Sequence, residues 1–417
     1  MKVRAVIAEF NPFHSGHRLL LDKMQSGGAA VVAIMSGNFV QRGECAVFDK
    51  QTRAEAAVRG GADLVLELPT VYALGAAERF ARGAVQLTES LGIADELWFG
   101  SECGDISALS AAAELVSTES AAFRSALSEK LAEGMSFPRA RFEALGSGGK
   151  LLSSPNNILA VEYITALNRL GSRIVPVTVK RENAGYNDDS EQSAEYSASA
   201  ARKILKKSSA DGALFMSSFD AMIAAKLKTA DCDYLTRFAD CNREIAARLI
   251  KAAKYNTFDE ILSAALCRRY TAARVRRVMC NILASNTFKT YPKPSYIRPL
   301  AFNECGKELL RSIKKNAALP VAARGALLKS DEIFRLECRG SDIYALARGL
   351  RGGSEFSFVP VYFSASALIF AHIFTAELMY QTTSASASAG TSKDLSGRCL
   401  LVKAMNVPMP KIIARKM

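Results

Sequence analysis

VRAVIAEFNPFHSGHR, residues 3–18, is the stretch whose reading decides the fold. Val3 to Ala8 is nearly all apolar and reads as a buried strand; Asn11-Pro12 breaks it, and a helix begins at Ser15 with Leu19, Leu20 and Met24 among its apolar positions. His14 and His17, two of only three histidines in the 417 residues, therefore fall at a strand-to-helix junction. In a parallel α/β sheet that junction favours phosphate, because unpaired backbone N–H groups and the positive end of a helix dipole converge there. Histidines three apart at a first helical turn face one side and can donate to different oxygens of a polyphosphate, while Gly16 lets a ligand approach the backbone. Such a pair would stabilise charge on a pentacoordinate phosphorus and on departing pyrophosphate, with no covalent nucleophile needed. The competing reading is a pair of packing or surface histidines.

Working outward, the chain is too long for one ordinary core and predicts two or three domains. With 49% hydrophobic and 23% charged residues its composition is that of a folded globular protein, not a disordered one. A formal charge of +13 and an isoelectric point near 9.3 favour an anionic partner larger than a nucleotide, with basic solubility as the alternative. Nine cysteines without a CxxC pair argue against a disulfide framework or structural zinc, and fit a reducing cytoplasm. Glu9 and Asn11 interrupt any apolar segment that a signal peptide would need. The run from Ser364 to Thr375 is too short and too polar to span a membrane, so a cytoplasmic location and no membrane partner are expected.

Further strands are predicted at Ala29 to Met35, Leu64 to Leu66, Leu97 to Phe99 and Ile174 to Val179, the last as a central or near-central strand. The fold class is α/β: a Rossmann-like parallel-sheet domain over residues 1–215, then a mostly helical region over 216–417. Loops after successive parallel strands emerge on one edge, which gathers several candidates. Arg42 and Lys50 are cations within reach of phosphate, or ordinary surface charges. Gly100 ends a strand where an adenine or ribose needs room, or is a turn glycine. Ser154 reads as an N-cap with Pro155 at the first helical position, leaving Asn156 near unpaired N–H groups, where its amide recognises a ligand or serves the cap. Arg181 ends the last strand with a guanidinium suited to phosphate, and residues 182–195 read as a mobile loop. Ser199 and Arg202 stand at the entrance of a basic helix that continues to Lys207. In the second half, Arg269, Arg276 and Arg277 lie roughly along one helical side, a face that can track nucleic-acid phosphates or be merely solvated. His372, within an apolar run, reads as a core histidine. No cluster has the spacing of a metal cage.

The ordered stretches FNPFHSGH (10–17), SGNFVQRGE (36–44), GADLVLELP (61–69), LWFGSECGD (97–105), SPNNILAVEY (154–163), VKRENAGY (179–186) and SASAAR (197–202) resemble the bacterial tRNA(Met) cytidine acetate ligases, within the HxGH nucleotidyltransferase-like superfamily. A further likeness surrounds YIRPLAF (296–302). The resemblance implies ATP-dependent activation of acetate as acetyl adenylate and transfer of the acetyl group to N4 of the wobble cytidine of elongator tRNA(Met). It implies catalytic roles for His14 and His17 and ATP contacts at Phe10, Asn11, Gly16, Gly100, Asn156 or its neighbour Asn157, Arg181, Ser199 and Arg202. The stretch around Ser197 to Arg202 resembles the superfamily's second phosphate motif, with Ala198 and Ser199 replacing a serine and a threonine. Arg269, Arg276 and Arg277 are the expected tRNA contacts, and magnesium is expected with ATP. No residue names itself as base for the attacking amine; substrate phosphate or water would serve as well. Two other functions fit the same features: nucleotidyl transfer to a small phosphorylated metabolite, and RNA binding by an inactive nucleotide fold.

Overall fold

β2 (Ala30–Ser36) is buried along its whole length, as expected of an AVVAIMS run covered on both faces of a sheet. Its parallel neighbours are β1 (Val3–Ala8) and β5 (Leu64–Leu68), and between them the chain makes a two-residue hairpin of β3 (Phe39–Val40) and β4 (Glu44–Cys45). With β6 (Glu96–Ser101), β7 (Val175–Lys180), β8 (Pro299–Asn303) and β9 (Val361–Phe363) the main sheet has seven strands in the order β7-β6-β1-β2-β5-β8-β9. The computed structural model describes residues 1–118, 120–181 and 198–364. The expected loop at 182–195, Ser197 of the second phosphate motif, His372 and nearly all of the 364–375 run lie outside them.

Alternation along β1 sends Ala5 and Ile7 to one face and Val6 to the other. The first face is covered by the helices Ala77–Ser90, Ile106–Thr118 and Pro155–Leu170, through Phe80, Ala84, Leu87, Leu109 and Ile164. The second is covered by Ser15–Met24 and Lys50–Arg59, through Leu21, Met24, Ala54 and Val58. Leu19 is half exposed, so the buried stripe of the first helix runs through Leu21 and Met24 and not through Leu19. Strand order runs outward from β1 to β2 and β5, then returns to β6 on the other side of β1. The carboxyl ends of β1 and β6 consequently diverge at a topological switch point and open a crevice.

The parallel α/β sheet and the mainly helical second half agree with expectation. Two details differ. β7 is an edge strand of half-exposed residues, not a central one. The sheet also takes β8, antiparallel to β5, and β9 from beyond residue 215, so a cut there does not separate two cores. Ile297, Leu309 and Phe334 pack into the sheet's core, while Phe219, Ile223, Leu249, Phe258, Val278 and Met279 form a helical one. No helix among the described residues is long and apolar enough to cross a membrane.

Candidate nucleotide site

His14 is the N-cap of the helix Ser15–Met24, and its Nδ1 accepts from the Gly16 N–H at 3.1 Å. His17, three residues on, accepts at Nδ1 from the His14 N–H at 3.3 Å. This is a capping box built from two imidazoles instead of the usual hydroxyl and carboxylate. An Nδ1 that accepts a hydrogen bond leaves the proton of a neutral ring on Nε2. Burial pushes the His14 imidazolium down to about 4, and the charges of Arg181 and Arg202 add to it. His17 is held well below its ordinary value, by burial first and then by His14 and Arg181. Both rings are thus neutral Nε2–H donors in the ordinary pH range, stacked with centroids 3.7 Å apart. Among the described residues neither Nε2 has a partner, and both rings are half-buried.

The remaining predicted residues take distinct parts. Phe10 is 1% exposed, with a positive φ of 46°, and packs against Phe13 and edge-on to His17 at 5.0 Å; its ring supports the histidine from the core and does not face a ligand. Asn11 is buried: its Oδ1 accepts from the Val47 N–H at 2.8 Å, its carbonyl accepts from Arg202 Nη1 at 2.8 Å, and its Nδ2 is a buried donor without a partner among the described residues. The Gly16 N–H is held by His14 and is not free for phosphate. Ser199 accepts from Arg202 Nη2 at 3.3 Å, so the serine and the Asn11 carbonyl aim the Arg202 guanidinium at the histidine loop.

Across the switch point, Gly100 leaves space for Arg181. A Cβ on Gly100 would lie 3.1 Å from Arg181 Cγ, so this glycine lets the arginine stem cross the end of β6. Asn156 and Asn157 divide their work. Asn157 is buried and its Oδ1 accepts from the Glu102 and Cys103 N–H groups at 3.0 and 3.2 Å, pinning the loop after β6. Asn156, less buried, donates from Nδ2 to Glu102 Oε1 at 2.7 Å. The Glu102 carboxylate also accepts from the Asn156 and Asn157 N–H groups, and so caps the helix Pro155–Leu170 in place of Ser154, which makes no side-chain cap.

Lys50 is far from a phosphate role. It is 4% exposed and pairs with Glu67, with Glu337 at 3.3 Å and with Glu355 at 2.7 Å. The arginines of the second half do not form an open face either. Arg269 is exposed and paired with Glu244 at 3.0 Å. Arg276 reaches Glu44 at 2.7 Å, and Arg277 is 9% exposed inside the helix Ala272–Leu283, where burial lowers its affinity for a proton. Glu44 lies 4.0 Å from Arg202 as well, so it links the helical region to the nucleotide loop. The site carboxylates not singled out from sequence are Glu9, which flanks FNPFHSGH, and Glu44 and Glu102, which lie within SGNFVQRGE and LWFGSECGD; an acid in or next to a motif was the available signal. Among the described residues no group of three or more His, Cys, Asp or Glu forms a metal cage.

A parallel sheet with a switch-point crevice and a histidine-capped first helix defines a nucleotide-handling fold, and the model of the HIGH Nucleotidyl Transferase family matches residues 1–353. Curated relatives are more particular. The tRNA(Met) cytidine acetate ligase of Clostridium perfringens strain SM101 is 35% identical over 402 residues, covering 87% of this chain and 100% of the relative. That of Thermoanaerobacter sp. strain X514 is 36% identical over 383 residues, covering 83% and 96%. The chain belongs to the tRNA(Met) cytidine acetate ligase family, an enzyme family. Among solved structures, Thermotoga maritima TmcAL bound with alpha-thio ATP superposes with a TM-score of 0.79 at 28% identity, covering 88% of this chain and 100% of the other. Its apo form gives 0.81 at 29% identity with the same coverage.

Proposed function

We propose that this enzyme activates acetate with ATP and transfers the acetyl group to N4 of the wobble cytidine of elongator tRNA(Met). The observation that carries the activation step is the histidine pair: two neutral Nε2–H donors beside Arg181 and Arg202, at the mouth of a switch-point crevice. Acetate oxygen attacks the α-phosphorus of ATP, the bond to the β-phosphate oxygen breaks, and pyrophosphate leaves. His14 and His17 donate to phosphate oxygens as charge builds on them, and the two guanidiniums neutralise the polyphosphate. Neutral imidazoles suit this task because they donate without first taking up a proton. Acetyl adenylate, kept from water in the crevice, then meets the cytidine amine. Asn11, with its unpartnered Nδ2, and Asn156 are the polar side chains offered to ribose or base. Magnesium would enter as the counter-ion of ATP, since among the described residues no group of three or more His, Cys, Asp or Glu stands ready to hold it.

The curated relatives' names supply the acceptor, and the net charge of +13 supports a polyanionic one. The test incubates enzyme, ATP and labelled acetate with and without elongator tRNA(Met), then digests the RNA to nucleosides. Label on cytidine, dependent on ATP, is expected. A stable small-molecule nucleotide adduct that forms equally without tRNA would overturn the reading.

A further inference from the structure

We propose that Glu9 is the proton acceptor for the transfer step, taking the proton that the cytidine amine sheds as the amide bond forms. The inference rests on the two-step reaction above. It begins from an elimination. The only basic nitrogens of His14 and His17, their Nδ1 atoms, already accept backbone N–H groups, and their Nε2 atoms carry protons, so neither histidine can act as base without dismantling the cap. Glu44 is tied to Arg276, and Glu102 is tied to the backbone at the start of the helix Pro155–Leu170. Of the described carboxylates beside the histidine loop and the loop after β6, Glu9 is the one left.

Its position fits. Glu9 follows the last residue of β1, the strand that borders the switch point, and it precedes Phe10 at the start of the histidine loop. Alternation from Ala5 and Ile7 turns its side chain towards the face of the helix Pro155–Leu170, where its charge acts on Tyr163. Oε1 accepts from the Gln41 N–H at 2.9 Å, which fixes the carboxylate against the hairpin. Oε2 has no partner among the described residues and is not sealed from solvent. One oxygen is anchored and the other is available.

The charge also lacks a structural reason. No ion pair within 4 Å holds Glu9 among the described residues, and a glutamine would accept the same Gln41 bond without the cost of burying an acid. Acidity that packing does not require points to chemistry. The groups facing Glu9 are Arg42 and Glu44 of the hairpin, Arg202, Tyr163, and Arg53, whose guanidinium donates to the Glu9 carbonyl. Burial raises its carboxyl above the usual glutamate range more than Arg42 and Arg202 lower it, which brings it closer to the working pH of a base. The step balances: the N4 lone pair forms the C–N bond at the acetyl carbonyl, the bond from that carbon to the phosphate oxygen breaks, AMP leaves with the electron pair, and the amine proton passes to Oε2 and later to water.

The test compares Glu9→Gln with wild type in two assays, acetate-dependent exchange of pyrophosphate into ATP without tRNA, and single-turnover acetylation of tRNA across pH. Transfer is expected to fall by about 100-fold or more, which is the scale of general-base catalysis, and to lose its acid limb. Exchange should fall far less. Glu9→Asp, which keeps a carboxylate on a shorter arm, should recover part of the transfer rate. Transfer by Glu9→Gln within about twofold of wild type, or an unchanged acid limb, would overturn the proposal, as would exchange and transfer falling together. Absence of acetate-dependent exchange in wild type itself would overturn the underlying activation reaction, and is seen before any variant is compared.

Discussion

His14 and His17 depend on the backbone for their protonation state, and this sets what their removal does. His17→Ala should cost about 3 kcal/mol at the transition state of pyrophosphate formation, the scale of a lost charge-stabilising donor, with tRNA affinity much less affected. Pyrophosphate release under limiting enzyme, beside tRNA binding, measures the split; a variant as active as wild type contradicts the assignment. Because His14 stays neutral down to about pH 4 while an unfolded histidine titrates near 6.5, the unfolded chain gains a proton first on acidification. Its contribution is therefore full above about pH 6.5 and falls as pH drops towards 4, and no histidine limb should cross the exchange rate near neutrality. The HxGH pair was legible in the sequence because the hydrogen bonds that set its rings run to backbone N–H groups within three residues. Lys50 was not: Glu67, Glu337 and Glu355 come from as much as 305 positions away and no local pattern reports them.

At the scale of elements, the helix Ala272–Leu283 pairs Arg276 with Glu44 and buries Arg277. Its arginines look like a phosphate-tracking face, yet Val275, Arg277, Val278 and Met279 are all buried, and Gly43 of the hairpin sits against the helix backbone. At that contact a Cβ would come within 2.4 Å of the Arg277 nitrogen, in a glycine whose φ is already +74°. Arg277→Glu should therefore destabilise the fold by about 3 kcal/mol, the scale of reversing a buried charge, and should not act as a clean loss of RNA affinity. Thermal melts followed by circular dichroism decide this; a variant that melts like wild type but binds tRNA weakly contradicts it. Arg276, through Glu44, works on Arg202 and the nucleotide loop. Strands were easier to find than to place. The apolar run at 174–179 announced β7 but not that it lies at the edge, because a short apolar run reads alike in either setting. The stretch at 296–302 was singled out only by its family likeness, and its place as β8 beside β5 depends on a return from the helical region.

The whole molecule is closed by that return. Lys50 and Arg298 share the carboxylates of Glu67 and Glu355, and Lys50 adds Glu337, so five buried charges tie the first half to the helix Glu332–Ala347 and to the short helix Ser354–Ser357. With three acids and two bases, the group holds Glu355 well below the usual range while burial and Glu337 hold Glu67 above it. Lys50→Met should cost about 3–5 kcal/mol, because it strands buried carboxylates. Chemical denaturation measures that, and a loss below about 1 kcal/mol contradicts it. Composition favoured a polyanion partner, but could not foresee that the two halves share one sheet. Under the proposed function, the histidine loop makes acetyl adenylate before any RNA is involved. This is tested most directly by mixing the purified enzyme with ATP, acetate and labelled pyrophosphate in the absence of tRNA. The account predicts label in ATP only when acetate is present. Exchange that ignores acetate, or none until tRNA is added, would contradict it.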